Sequence, residues 1–283
     1  ARIHRGAAAA LPGVVRMGTY PTFQALELER QGGVARGWLN RPDARNAMDD
    51  NMTRELPQLF KLLEKDPSVR VVVLGGRGSA FCAGADLGRM DKAGRSSLAK
   101  NRAGAQRSAK FYNDLYLFPK PTIARIHGPA FAGGMGLVCA CDVVVASEEA
   151  VFCLPETRIG LVPAMISPYV TRAMGANAAR RFLLSGERFS AQAAKTMGMV
   201  HELVPAAELD SAVARIAQAF VECAPNALAE AKKLLRKVIG APITPTLISH
   251  TAGVIARARA SEEAREGIAS FREKRKAKWS SEV

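Results

Sequence analysis

The run Gly128-Pro129-Ala130-Phe131-Ala132-Gly133-Gly134-Met135-Gly136-Leu137 stands directly behind the apolar stretch Thr122–Ile126. A short apolar run bounded by glycine reads as a buried strand, and the small residues behind it as the start of a helix. Glycines at a helix start leave N–H donors unpaired at the positive end of the dipole, with no side chain in front of them. Such an end suits an anion, or a carbonyl oxygen that turns negative during a reaction. Taken alone, the run fits close helix–strand packing equally well.

Upstream, Gly75-Gly76-Arg77-Gly78-Ser79-Ala80-Phe81-Cys82-Ala83-Gly84-Ala85-Asp86-Leu87 repeats the pattern behind another apolar strand at 71–74. Small residues let a ligand reach backbone N–H groups, although a tight connection without a ligand has the same composition. A dinucleotide fingerprint fits poorly, because Phe81 stands where the third glycine belongs. Downstream lies Leu154-Pro155-Glu156-Thr157-Arg158-Ile159-Gly160-Leu161-Val162-Pro163. Glu156 has apolar neighbours, and desolvation there raises a carboxyl pKa toward values useful for proton transfer. From this segment alone a surface pair with Arg158 is the plainer reading.

Working outward, residues 25–30 and Val34–Leu39 flank Gln31-Gly32-Gly33, a hairpin signal. Leu56, Leu59, Phe60 and Leu63 have helical spacing, with Pro57 expected in a first turn or at a kink. Residues 143–146 form a third apolar strand. Beyond about residue 159 the pattern turns helical at 178–184 and 191–197, with a short extended piece at 200–204. Leu228, Ala231, Leu235 and Val238 mark one face of a helix behind Pro225, and Ile268 and Phe271 the apolar side of a basic last helix. Strands alternating with helices, then helices alone, imply an α/β core with a helical C-terminal region. The expected division is a disordered or non-native extension at 1–16, a core at 17–205 and a helical region at 206–283. The Arg- and Ala-rich extension loosely resembles a transit peptide, and Met17 offers an alternative start.

At 283 residues and 48% hydrophobic content the chain can bury a large core, which excludes disordered and collagen-like classes. No apolar run reaches the roughly 20 residues of a membrane span. Five cysteines, Cys82, Cys139, Cys141, Cys153 and Cys223, show no disulfide or zinc-ribbon spacing, which favours free thiols in a cytoplasmic protein. The net charge of +14 raises the question of nucleic acid, but 13 of those charges lie in residues 1–16, 92–110 and 257–278. Aromatics, at 6%, do not interleave with these runs, which weakens a base-stacking reading.

Together and in this order, residues 79–87, 120–142 and 152–163 resemble the crotonase (enoyl-CoA hydratase/isomerase) superfamily, and residues 266–278 resemble its C-terminal ending. Arg158-Ile159-Gly160-Leu161-Val162-Pro163-Ala164-Met165-Ile166-Ser167-Pro168 is most similar to the methylglutaconyl-CoA hydratase-like branch. The resemblance implies a spiral of ββα units with a helical C-terminal trimerisation region, assembled as a homotrimer or homohexamer. It implies an acyl-CoA thioester as substrate with no separate cofactor; no metal and no membrane partner are expected, and nucleic acid is the disfavoured competing partner. By the same resemblance, the N–H groups of Ala85 and Gly133 form an oxyanion hole for the thioester enolate, and Glu156 moves the proton. Ala85, Asp86, Leu87, Gly88 and Gly133 line the acyl-CoA site, and Phe271 and Lys274 reach CoA from a neighbouring subunit.

One position departs from the pattern. Typical hydratases carry a second glutamate where this chain has Gly136, and glycine can neither take a proton nor hold water through a side chain. Three readings follow: a hydratase working with Glu156 and a substituted water network, a Δ3,Δ2-enoyl-CoA isomerase needing one base, or a catalytically weak CoA- or RNA-binding relative. Arg89, Arg125 and Arg158 are each candidates to pair with a distal substrate carboxylate. His127 is expected to pack rather than react, and Cys139 and Cys141 lack the partners of a metal site.

Overall fold

The computed structural model describes residues 20–281. The expectations for residues 1–16 and for Met17 fall outside the described residues. β1 (Leu26–Gln31) and β2 (Val34–Leu39) form the expected antiparallel hairpin. α1 (Asp50–Lys65) follows, its first turn closed by the Asp49 carboxylate accepting from Met52 N–H at 2.8 Å. Pro57 lies inside α1, past the first turn. Leu56, Leu59, Phe60 and Leu63 are all buried, and this apolar face anchors the helix on both sides of the proline.

β3 (Val71–Gly76) is buried along its whole length. It is followed by α2 (Leu87–Gly94), α3 (Leu98–Tyr116), β4 (Thr122–Ile126), β5 (Ala130–Phe131), α4 (Gly133–Ala140), β6 (Val143–Ser147) and β7 (Val151–Cys153). Then come α5 (Ser167–Ser185), β8 (Arg188–Ser190), α6 (Ala191–Thr196), β9 (Glu202–Val204) and α7 (Leu209–Val221). The main sheet has the order β1-β2-β3-β4-β6-β9, parallel from β2 onward, and a small second sheet has the order β5-β7-β8.

Alternation along the strands sorts the core into two layers. Val71, Val73, Ile123 and Val145 meet Leu209, Val213, Ala217 and Val221 of α7. Val72, Leu74, Ala124 and Ile126 turn the other way, into the larger cluster with α1, α3 and α4. The α/β class with a helical C-terminal region is the one expected.

The last helices are α8 (Pro225–Val238), α9 (Pro245–Ala260), α10 (Glu262–Arg272) and α11 (Lys278–Ser281). Pro225 opens α8 as expected, but the predicted apolar face is not what the chain buries. The buried residue of α8 is Lys232, whose ammonium donates to Asp142 at 2.5 Å and to Lys120 O at 2.8 Å, while Leu235 stays 55% exposed. A buried ammonium needs acceptors around it, and the end of the Thr122–Asp142 pairing supplies them.

Candidate active site

Three segments run parallel and in register beside the core. Cys82 bridges Ala130: its N–H donates to Pro129 O at 3.1 Å and its carbonyl accepts from Phe131 N–H at 2.9 Å. On the other side Ala130 pairs with Phe152 and Phe131 with Cys153, and Ala132 N–H donates to Cys153 O at 2.9 Å. Continuing forward from this register, the three segments lead into Ala85, Gly133 and Glu156 respectively.

Ala85 is bracketed by Met48, whose N–H donates to Gly84 O at 2.7 Å and whose carbonyl accepts from Asp86 N–H at 3.2 Å. In a parallel bridge the residue between those bonds turns its own N–H away. The Ala85 N–H donates to no described acceptor, and neither does the N–H of Gly133, the first residue of α4. The loops touch closely. A Cβ on Gly84 would lie 2.7 Å from the Ala132 Cβ, and one on Gly134 would lie 2.8 Å from the Cys82 Cβ. Ala132 adopts φ 48°, ψ −122°, a turn conformation dominated by glycine. Strain of this kind costs typically about 1–3 kcal/mol, and the close packing and the Ala132 N–H bond to Cys153 O hold it where β5 turns into α4.

Glu156 sits in a 3-10 turn, Pro155–Ile159, which Gly160 ends at φ 75°. Its Oε2 is buried with no hydrogen-bond partner among the described residues. Burial pushes the carboxyl up from its ordinary value, and a backbone hydrogen bond offsets this in part. The surface pair with Arg158 does not form. Arg158 instead donates to Ser185 O at 3.0 Å and lies against Gly186.

The space beside α4 explains Gly136. A Cβ there would overlap Ile166 Cγ2 and lie 2.8 Å from Tyr112 Cε1, so no larger residue fits without repacking. Tyr112, on α3, is buried and its hydroxyl donates to Gly133 O at 3.0 Å. Burial pushes its phenol well up, Cys82 and Glu156 add to the rise, and Arg89 opposes it. The sequence reading missed Tyr112, Ile166 and Met48. Only the spacing of Ser108, Phe111, Tyr112 and Leu115 along α3 could have marked the tyrosine as inward-facing.

The remaining candidates separate clearly. Asp86 caps α2, accepting from Gly88 N–H at 3.0 Å. Despite some desolvation, hydrogen bonds from Arg41, Arg89 N–H and Gly88 N–H hold its carboxyl below the usual range. Leu87 and Gly88 are exposed at the start of that helix. Arg125 is committed to Asp210 through bonds of 2.6 and 3.0 Å. Arg89 is held more loosely, 3.4 Å from Ser108 and 3.5 Å from Asp50. His127 meets Gly78 O through Nε2 at 2.9 Å. Burial raises the thiols of Cys139 and Cys141, and no cluster of metal-ligating residues occurs among the described residues. Phe271 and Lys274 are exposed at the end of α10, with no hydrogen bond or ion pair to the Ala85–Gly133–Glu156 group.

Residues 29–282 match the family model described as enoyl-CoA hydratase/isomerase. The chain belongs to the enoyl-CoA hydratase/isomerase family. A crystal structure of an enoyl-CoA hydratase from Shewanella pealeana superposes with a TM-score of 0.88 at 40% identity, covering 91% of this chain and 96% of that one. A mitochondrial enoyl-CoA hydratase of Pongo abelii is 33% identical over 248 residues, 85% of this chain and 81% of its own length. A hydroxycinnamoyl-CoA hydratase-lyase of Pseudomonas fluorescens is 34% identical over 221 residues, 76% of this chain and 80% of its own. Two of these relatives are named for enoyl-CoA in general and one for hydroxycinnamoyl-CoA, so family membership leaves the acyl group open.

Proposed function

We propose that this enzyme hydrates an α,β-unsaturated acyl-CoA, with Glu156 as acid–base and the Ala85 and Gly133 N–H groups as oxyanion donors. The observation that carries this reading is the buried, unpartnered Glu156 Oε2, brought by strand register to the same end of the fold as two unpaired N–H donors. Water adds through its oxygen to Cβ, and the displaced π pair makes an enolate whose charge gathers on the thioester oxygen. Glu156 takes a proton from the water and returns one to Cα, so the product is the 3-hydroxyacyl-CoA. Fixed donors aimed at the developing charge stabilise it without reorganisation.

Asp86, Leu87 and Gly88 border the acyl-CoA path in this reading, and Phe271 and Lys274 reach CoA from a second copy in a homotrimer or homohexamer. The exposed Ile248, Ile255, Ile268 and Phe271 support such an assembly. A cytoplasmic location is part of the same proposal, and among the described residues no helix is long and apolar enough to cross a membrane. For the acyl group we favour one ending in a carboxylate, as in 3-methylglutaconyl-CoA. Arg89 supports this, since it reaches Ser108, one turn before Tyr112 on α3, and its own partners are loose.

A Δ3,Δ2-enoyl-CoA isomerase is the second reading. It is favoured by the filled space at Gly136, which leaves α4 without a second carboxylate.

Loss of ultraviolet absorbance from crotonyl-CoA and 3-methylglutaconyl-CoA tests both. Glu156→Gln is expected to cut kcat by about 10²–10⁴-fold, with KM little changed. The base must be ionised, so kcat/KM of the wild type falls as pH drops through a Glu156 pKa above the ordinary value. Hydration unchanged in Glu156→Gln sinks the assignment, and conversion of a 3-enoyl-CoA without hydration selects the isomerase.

A further inference from the structure

Attack by water raises a geometric demand that Glu156 cannot meet alone. A water molecule has two hydrogens, and its lone pair points at the substrate only when both are held. Glu156 can accept one, which leaves a second acceptor to be found. The α4 segment beside the oxyanion donor offers only Gly133, Gly134, Met135 and Gly136, none with a side-chain oxygen. The space beside Gly136 is filled by Ile166 and the ring of Tyr112.

We infer that Tyr112 Oη is that second acceptor, holding the attacking water from the α3 side while Glu156 takes its proton. This deepens the hydratase reading above and rests on it. Three features of Tyr112 carry it. Its hydroxyl lies 2.8 Å from where a Gly133 Cβ would stand, beside the residue whose N–H is free. It donates its one proton to Gly133 O at 3.0 Å, so its oxygen is left to accept. Its ring lies across the Gly136 position, 2.8 Å from a built Cβ, which fixes the oxygen in place. Burial pushes the phenol up and the Glu156 charge adds to the rise, so the phenol stays a neutral acceptor throughout. Tyr112 is thus a catalytic residue that contacts the reacting water and exchanges no proton with it.

The test separates hydration from proton transfer at carbon. Exchange of the Cα protons of butyryl-CoA into heavy water, followed by NMR, needs Glu156 and the oxyanion donors but no attacking water. Tyr112→Phe removes one oxygen and keeps the ring. It is expected to lower kcat for crotonyl-CoA hydration at least tenfold, leaving KM and the Cα exchange rate within about twofold. Glu156→Gln is expected to lose both reactions. Should Tyr112→Phe fail to fold, as judged by its melting curve, site-specific 3-fluorotyrosine at position 112 keeps ring and hydroxyl and weakens the acceptor. It should slow hydration without slowing exchange. If either variant hydrates like the wild type, or loses hydration and exchange together, the water-holding role is overturned and the hydratase reading stands. A wild type that exchanges Cα protons but hydrates no enoyl-CoA overturns the hydratase reading, and the water site with it.

Discussion

The nook formed by Ala85, Gly133 and Glu156 and the C-terminal helices α8–α10 are built on opposite terms. Behind the nook, interatomic space is used up. Gly84 meets Ala132, Gly134 meets Cys82, and Gly136 faces Ile166 and Tyr112 so closely that none accepts a Cβ without displacement. Along α9 not one residue is buried, and Ile248, Ile255, Ile268 and Phe271 stand in the open on α9 and α10. Contacts within one chain fix the nook, so it can hold a strained residue such as Ala132. The C-terminal faces have no such closure, and their apolar surface is what another copy could cover. The nook is closed by its own chain, whereas the C-terminal faces leave apolar surface open.

The largest effect in this comparison is expected from Gly136→Glu, which supplies the carboxylate missing from α4. The new side chain meets Ile166 and the Tyr112 ring, and overpacking of a filled core costs roughly 1–3 kcal/mol, with more for desolvating the charge. Thermal denaturation should show a clear loss, and pairing the change with Ile166→Ala should recover part of it. A Gly136→Glu variant as stable as the wild type would break the view that the space beside Gly136 is full.

How much of this was legible depended on whether chemistry lay in the chain order or across it. Glu156 was singled out only by the family resemblance, since its own segment pointed to a surface pair with Arg158. The hairpin, β4 and the two glycine loops followed from short-range patterns, because small residues after apolar runs mark strand ends. The register that runs into Ala85, Gly133 and Glu156 did not, since it is set by Cys82–Ala130–Phe152 pairing between segments about 20 to 50 residues apart. Tyr112 was hidden for a similar reason. It ends a stretch whose most visible property is its positive charge, and its value lies in reaching α4. The charge itself proved local. Lys92, Arg95 and Lys110 pair with Asp50, Asp91 and Asp114, acids that lie outside the 92–110 run. The face of α8 misled because Lys232, buried against good acceptors, takes the inward position and leaves Leu235 exposed.

A smaller change sharpens the nook's side of the comparison. Ala132→Gly relieves a φ of 48° that glycine adopts freely, while adding entropy to the unfolded chain. The net expectation is a gain of about 1 kcal/mol, read as a melting temperature higher by roughly 2–4 °C. The same freedom loosens the turn that aims the Gly133 N–H, so hydration kcat should fall several-fold while stability rises. A gain in stability with undiminished activity would show that the strain has no role in placing the donor.

The smallest effect on a single chain belongs to Ile248→Ser on α9. Ile248 is 58% exposed, so in the isolated chain its replacement should shift stability by no more than about 0.5 kcal/mol. If α9 meets a second copy, the wild type's melting temperature rises with protein concentration, because association stabilises by mass action. Ile248→Ser should then flatten that dependence and shift sedimentation toward smaller species, while the nook's chemistry in the dilute limit stays as it was. A variant that sediments and melts like the wild type at every concentration places Ile248 outside any interface and returns the other exposed apolar residues of α9 and α10 to the test. A concentration-dependent effect confined to α9 changes would separate the two regions, since changes in the nook act within one chain at every concentration.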